Sequence, residues 1–390
     1  MAEKAVWTSN SFKKSGAWGT IRTGLVLARE LNGRHTAANC NLRFLTMTSS
    51  VDSRKRLKVL LIGEEAAGIQ ALKLLARRGE SIAGVMATAG KRLNGVASLA
   101  AVAHEFGYPV WPAACAKDPR FGERLQERGV DLLLNVHSLF VIHPKVLAAA
   151  RIGAYNLHPG PLPHYAGLNT ISWAIYQGES EFGVSLHEMT ATIDAGPIAY
   201  QAHFPLSEED TAVSLMAKCT AAGIPLLNQL LESAASNPAS IPRIHQDPSK
   251  RRYYGREVPE GGRLRWCQPA RLVVDFVRAC AYDPFPSPWG YPRARYLHQE
   301  MEILKARRTG FACATLPGTV ASVGEIHAIV ACSDEWISLR RLRVDNRAVA
   351  PASILSPGTR LQDGSALPAK IQPDKLSRTE DNANPHPAIY

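Results

Sequence analysis

Lys58-Val-Leu-Leu-Ile-Gly63, followed by the helically spaced stretch Ala66 to Arg78, decides the fold. The first run is short, leucine-rich and partly β-branched, and it closes on glycine, so it reads as a buried strand entering a turn. In the second, Ile69, Leu72 and Leu75 or Ala76 share one helical face, and basic residues gather at its end, where the helix dipole favours them. The pattern then repeats. A strand is expected over Ile82 to Ala87, a helix over Val96 to Phe106, a short strand over Tyr108 to Trp111, a helix over Arg120 to Arg128 and a strand over Asp131 to Val136. Strands alternating with helices specify a parallel sheet covered on both faces, an α/β domain of Rossmann-like type.

The turn after the first strand, Gly63-Glu-Glu-Ala-Ala-Gly68, lacks the GxGxxG spacing of a dinucleotide site. Glu64 and Glu65 would sit where a pyrophosphate needs bare backbone amides. The turn is read as a plain strand-to-helix connection.

The chain has 390 residues, 46% hydrophobic and 20% charged, which is the composition of a globular protein with room for two domains. No run of about 18 apolar residues occurs, so no membrane partner is expected. Seven scattered cysteines, with no CxxC pair, suggest neither a disulfide framework nor a zinc knuckle; a reducing, cytoplasmic setting is expected. The net charge is +11, but Met1 to Arg56 holds ten Lys or Arg against three acids and so supplies seven of those charges. A polyanion-binding field over the whole chain is therefore weakly supported. Residues 1–56 are expected to be a poorly ordered basic extension: dispensable, an organelle presequence, or an anion-binding arm. Met47, ten residues before the first clear strand, leaves a later start codon as a further explanation.

The chemistry concentrates in Gly153-Ala-Tyr-Asn-Leu-His-Pro-Gly-Pro-Leu-Pro-His164. A strand ends in Asn156 and His158, two residues apart and on one face, and three prolines in five residues then make a stiff loop. Open α/β sheets place ligands at such carboxyl ends. Gly183-Val-Ser-Leu-His-Glu-Met189 reads as another strand, and Ile193-Asp-Ala-Gly-Pro-Ile198 as a turn carrying a lone carboxylate, Asp194. Singly, each residue has a plainer reading: Asn156 as a turn cap, His158 as a satisfied loop histidine, and Asp194 in an Asx-turn with Gly196.

Taken in order, Asn156-Leu-His-Pro-Gly-Pro-Leu-Pro163, Tyr165-Ala-Gly-Leu-Asn-Thr-Ile-Ser-Trp-Ala-Ile175, Gly183-Val-Ser-Leu-His187 and Ile193-Asp-Ala-Gly-Pro-Ile198 resemble the folate-dependent formyltransferase family, over about Leu57 to Gln201. The resemblance implies an N-formyltransferase with 10-formyltetrahydrofolate as formyl donor and an amino-acid-derived primary amine as acceptor, free or bound to tRNA or a carrier protein. It implies Asn156, His158 and Asp194 as the catalytic group. Formyl transfer passes through a tetrahedral carbon bearing an oxyanion, which the Asn156 amide is suited to stabilise. His158 would bond that oxygen or take the amine's proton, with Asp194 fixing its tautomer. By the same resemblance the pterin enters a cleft between Ser138 to His143 and Thr190 to Asp194. Leu139, Phe140, Val141, Ile142, Thr190, Ala191 and Thr192 are then the donor contacts, unless they are ordinary residues of a βα loop. Leu162-Pro163 becomes a candidate cis peptide.

Three alternatives remain open. A 10-formyltetrahydrofolate hydrolase shares these residues but usually carries a regulatory domain, which is not evident before Leu57. His158, His164, His187 and Asp194 would be the ligands of a metal-dependent hydrolase, although no HxH or HxxxH pair is present. A non-catalytic RNA-binding protein is the third.

Beyond Leu206, Asp210 to Cys219 and Ile224 to Ala235 are expected to form a long amphipathic helix interrupted at Pro225, and Ser236 to Lys250 a polar linker. Residues 57–245 thus make the catalytic domain and 246–365 a second domain. It contains a helix over Ala270 to Cys280 and a small β-barrel with strands near Thr319–Val323, Ile326–Cys332 and Trp336–Leu342. Residues 366–390 read as a loose tail. Lys305-Ala-Arg-Arg308 and Arg340-Arg-Leu-Arg343 are candidate phosphate contacts, with a solvated barrel face as the plainer reading.

Overall fold

A computed structural model describes residues 55–88 and 97–365, apart from the Glu65 side chain. The readings made for residues 1–54 and 366–390 lie outside the described residues.

The first half runs β1 (Lys58–Gly63), α1 (Glu65–Arg77), β2 (Ser81–Ala87), α2 (Leu99–Glu105), β3 (Val110–Pro112), α3 (Pro119–Glu127), β4 (Leu132–Val136), α4 (Pro144–Leu147), β5 (Gly153–His158), β6 (Ala166–Gly167), α5 (Thr170–Gln177), β7 (Glu181–Glu188), β8 (Ile198–Pro205) and α6 (Ala212–Ser236). Seven strands form one sheet in the order β3-β2-β1-β4-β5-β7-β8. The alternation of β1 explains its two-sided coverage. Val59 and Leu61 pack with Leu72 and Leu75 of α1 and Leu226 and Leu230 of α6, while Leu60 and Ile62 pack with Phe121 and Leu125 of α3.

The expected parallel sheet is present from β3 through β5; β7, a strand whose direction the sequence left open, runs antiparallel to β5, and β8 antiparallel to β7. A parallel return needs a crossover along the sheet face. Here α5 instead shares a core with α7 (Ala270–Ala279), through Ile171, Ala174 and Ile175 against Val273, Val274 and Phe276. The chain therefore re-enters the sheet from the carboxyl edge it has just left.

Two expectations are corrected. Helix α6 runs through Pro225 without a break, started by a capping box between Thr211 and Ser214. The polar stretch after Ser236 is a strap rather than a free linker. Ile244 forms a β-bridge with Ile198, and β9 (Tyr253–Tyr254) pairs with β6.

The barrel is present. Strands β10 (Arg293–Tyr296), β11 (Gln299–Ala312), β12 (Val320–Val323), β13 (Ala328–Ala331), β14 (Glu335–Val344), β15 (Arg347–Val349) and β16 (Leu361–Asp363) form a second sheet in the order β12-β13-β14-β11-β10-β16, with β15 on β14. A bridge between Thr319 and Arg360 closes it. The longest strand, β11, was not anticipated, because its charged alternation, Glu300, Glu302, Lys305, Arg307, masks the buried Met301, Ile303 and Ala306. Leu162-Pro163 is cis, as is Asp283-Pro284.

Candidate active site

Asn156 and His158 project from the carboxyl end of β5, and the register on either side decides what meets them. Asn135 of β4 is the cross-strand partner of Asn156, and His187 of β7 lies opposite Asn156 on the other side. A row Asn135–Asn156–His187 thus crosses three adjacent strands, with Asn135 and His187 only 4% and 2% exposed. Asn135 Nδ2 donates to Asn156 Oδ1 at 3.0 Å, and Asn156 Nδ2 reaches His187 Nε2 at 3.1 Å and Asp194 Oδ1 at 3.4 Å.

Asp194 arrives from the turn between β7 and β8 with a left-handed backbone, φ 51°, which a residue other than glycine adopts only when its surroundings hold it there. The strap supplies that hold. Gln246 Nε2 donates to the main-chain oxygens of Asp194 at 2.9 Å and Gly196 at 2.7 Å, and an Arg251 guanidinium N–H donates to Ile193 O at 2.8 Å. The same strap fastens the proline loop, with Arg252 N donating to Pro163 O at 3.1 Å and Ala166 N to Arg252 O at 3.0 Å. The Asp194 carboxylate accepts from Gly167 N at 2.8 Å, a long-range bond that the plainer reading of a local Asx-turn with Gly196 did not include.

His158 is 4% exposed. Its Nε2 lies 2.6 Å from the Tyr165 carbonyl oxygen and its Nδ1 3.5 Å from Asp194 Oδ2. A carbonyl can only accept, so Nε2 carries a proton and Nδ1 is the nitrogen left to take one. Burial pushes the imidazole pKa below its ordinary value, against the pull of the Asp194 carboxylate upward. At Asp194, burial works to raise the carboxyl, but His158 and then His187, with the Gly167 amide, outweigh it and hold the group well below the usual carboxylate range. The arrangement pairs a neutral base with an anion placed to stabilise the imidazolium it becomes.

The structure therefore brings Asn156, His158 and Asp194 together, and adds Asn135, Ser138 and His187, whose part the strand pattern did not reveal. Ser138 Oγ bonds Asn135 Oδ1 at 2.5 Å. In the sequence His187 stands as part of the Gly183-to-His187 segment of the family resemblance and as a conceivable metal ligand, not as a partner of Asn156. His158 and His187 spend ring nitrogens on main-chain oxygens instead, His187 Nδ1 on Glu188 O at 2.9 Å, and among the described residues no group of three or more His, Cys, Asp or Glu is arranged to hold a metal ion.

The residues expected to contact the donor divide. Leu139 stands 81% exposed and Val141 is half-buried, whereas Ile142 is buried and Phe140 packs on the cluster beneath the sheet. Thr190, Ala191 and Thr192 are exposed beside the Asp194 turn. A cavity of about 310 Å³ takes in Thr190 and Ala191 together with Pro144, Leu147, Gly153 and Met189, but none of residues 138–142. His137 follows β4 with φ 52°, and its Nε2 is buried with no partner among the described residues. Burial and the nearby His158 push its pKa down to about 4.

On the barrel, Arg308 pairs with Glu335 and Glu208, Arg307 with Glu209 and Arg343 with Glu302. Lys305, Arg340 and Arg341 are the exposed remainder of the two basic clusters. No helix among the described residues is long and apolar enough to cross a membrane.

Two family models match the chain: formyl transferase over residues 67–231, and formyl transferase, C-terminal domain, over 258–358. Among solved structures, the chain is similar to HypX from Aquifex aeolicus in complex with tetrahydrofolic acid, at 18% identity and a TM-score of 0.56, covering 77% of this chain. It spans about half of that protein, 47%. It is also similar to an N-formyltransferase from Helicobacter canadensis in complex with folinic acid and dTDP-3-aminofucose (18% identity, TM-score 0.55, 73% of this chain and 99% of that one). A third is WlaRD, a sugar 3N-formyl transferase solved with dTDP and 5-N-formyl-THF (17% identity, TM-score 0.56, 73% and 98%). At these identities the likeness is one of fold.

Proposed function

Since the chain belongs to the folate-dependent formyltransferase family, we propose that it moves the formyl group of 10-formyltetrahydrofolate to a primary amine, with Asn156, His158 and Asp194 as its catalytic residues. The observation that carries this reading is the convergence of those three side chains, two from the end of β5 and one from the turn before β8, on one largely buried site. Asn156 offers an amide N–H to the oxygen on which charge develops as the amine attacks. His158, neutral and protonated on Nε2, takes the amine's proton on Nδ1, Asp194 stabilises the resulting imidazolium, and the proton then passes to N10 of the folate as the bond between N10 and the formyl carbon breaks and tetrahydrofolate leaves.

The residues of the two loops suit a flat heterocycle. Leu139 and Val141 offer apolar surface, Thr190 to Thr192 offer backbone groups, and the orphaned His137 Nε2, just before the first loop, is a polar atom awaiting a partner. When bound there, the donor supplies the formyl carbon.

The acceptor is taken to be an amino-acid-derived amine, and within that class a free or carrier-bound amine is favoured over aminoacyl-tRNA, because the loop Pro163-His-Tyr-Ala-Gly-Leu-Asn169 is poor in the arginines expected of a tRNA-dedicated site. Sugar amines form the second class, because the Helicobacter canadensis neighbour was solved with one.

The test incubates the full chain and 10-formyltetrahydrofolate with aminoacyl-tRNA, an aminoacyl carrier protein, hydroxyornithine and a nucleotide-linked amino sugar, following tetrahydrofolate release and product mass. Formyl transfer to one of them is expected. Formate release that is indifferent to every amine would establish the hydrolase instead, and salt-sensitive RNA binding without turnover would establish the binding protein.

A further inference from the structure

We propose that Asn135 and His187 are positioning residues that fix which end of the Asn156 carboxamide faces the reacting centre, through a hydrogen-bond chain whose direction is imposed by two main-chain carbonyls; this rests on the catalytic reading of Asn156 given above. At one end, Asn135 Nδ2 approaches Ser138 O at 3.5 Å while Asn135 Oδ1 receives the Ser138 hydroxyl. A carbonyl oxygen cannot donate, so the amino group of Asn135 is the end turned toward Asn156, and it donates to Asn156 Oδ1. At the other end, Glu188 O likewise only accepts, so His187 carries a proton on Nδ1; its Nε2 lies 3.1 Å from Asn156 Nδ2 and 3.3 Å from Asp194 Oδ1, and in the neutral ring that nitrogen is bare and accepts the Asn156 amide N–H.

Both ends impose one answer: Asn156 Oδ1 toward β4, Nδ2 toward His187 and Asp194. The 3.4 Å bond from Nδ2 to Asp194 is the weaker of its two, and a developing oxyanion can exchange for it. A flipped amide would present its oxygen to that negative charge and turn a stabilising donor into a repulsion. Rotating an amide by half a turn changes neither volume nor packing, so shape alone cannot prevent the flip; only the polarity of the neighbours does. Two polar side chains, Asn135 and His187, buried on either side of Asn156 where a sheet interior mostly holds apolar ones, are accounted for by this task.

The test has two arms. In the unaltered protein labelled with ¹⁵N-histidine, long-range ¹H–¹⁵N spectra report ring tautomers, and His187→Gln identifies its signal; Nδ1–H is expected, and Nε2–H for His187 would overturn the proposal. In the second arm, Asn135→Asp offers Asn156 only acceptors and should flip it, lowering kcat on the order of 100-fold, as loss of an oxyanion donor does. Its binding of 5-formyltetrahydrofolate should stay within about threefold of the parent. Asn135→Leu, which adds no charge and so guards against misfolding, should lose much less while His187 still orients the amide. Asn135→Leu combined with His187→Leu should fall to the level of Asn156→Ala, and combined with His187→Gln, which restores an acceptor, should recover. If Asn156→Ala is inactive while Asn135→Asp and the double leucine variant turn over within about threefold of the parent, the positioning role is refuted. If Asn156→Ala itself turns over normally, the catalytic reading fails and this inference fails with it.

Discussion

His158 Nε2 lies 2.6 Å from the carbonyl oxygen of Tyr165, seven residues on along the proline loop. That single bond fixes the tautomer, and with it the nitrogen that faces Asp194. His158→Ala and Asp194→Ala are each expected to lower formyl transfer by about 10³-fold or more while far-ultraviolet circular dichroism stays unchanged. Near-normal turnover by either would sink the assignment.

Gly160 guards the same bond from outside. A Cβ built there would lie 2.6 Å from Tyr165 O and 2.8 Å from His158 Nε2, closer than the loop accommodates without shifting. Gly160→Ala should therefore reduce kcat by at least about tenfold and destabilise by roughly 1–3 kcal/mol, read from urea unfolding. An unaltered kcat would mean that the imidazole does not need its carbonyl partner.

Gln246 tests the strap. Its side-chain amide holds the main chain of Asp194 and Gly196, and Gln246→Ala removes both bonds, at about 1 kcal/mol each. Both bonds hold the Asp194 turn rather than a strand, so the clearer effect should be on activity: a several-fold loss in kcat with the thermal midpoint lowered by only a few degrees. A purely structural strap would show the reverse.

His137 predicts the acid limb of stability. Burial lowers its pKa from 6.5 to about 4, so the unfolded chain takes up a proton before the folded one does. Stability is accordingly full above about pH 6.5 and lost as pH falls toward 4, and His158, lowered in the same direction, adds to the slope. His137→Gly should flatten that part of the curve. Because φ 52° costs a side-chain-bearing residue about 1–2 kcal/mol, the variant should also be no less stable than the parent at pH 8. Equal acid slopes in urea titrations at pH 4 to 7 would refute the assignment of the proton uptake to this ring.

How much was legible in advance follows from the distance over which each pattern acts. The β1 run and its sequel, Ala66 to Arg78, declare a buried strand and an amphipathic helix through spacings of two and about four residues, so the α/β class was readable. Asn156 and His158 share a strand face for the same reason, and together with the Asp194 turn they carry the family signature. The antiparallel return at β7 was not readable, because it depends on α5 finding its core against α7, nearly a hundred residues further on. β11 hid behind its charges, since Glu300, Glu302, Lys305 and Arg307 interleave with the buried Met301, Ile303 and Ala306 and leave no continuous apolar run.

By itself, then, the sequence determined the layered α/β class, the closing barrel strands and the three chemically suited side chains, all written in local periodicity and motif. Tertiary structure alone decided that Asn135, 21 residues before Asn156, and His187, 31 residues after it, would flank the same amide. It also made the polar stretch around Gln246 the clamp on Asp194. Strand register and strap placement are set by the burial of surfaces distant in sequence, and no local spacing encodes which residues that burial will align.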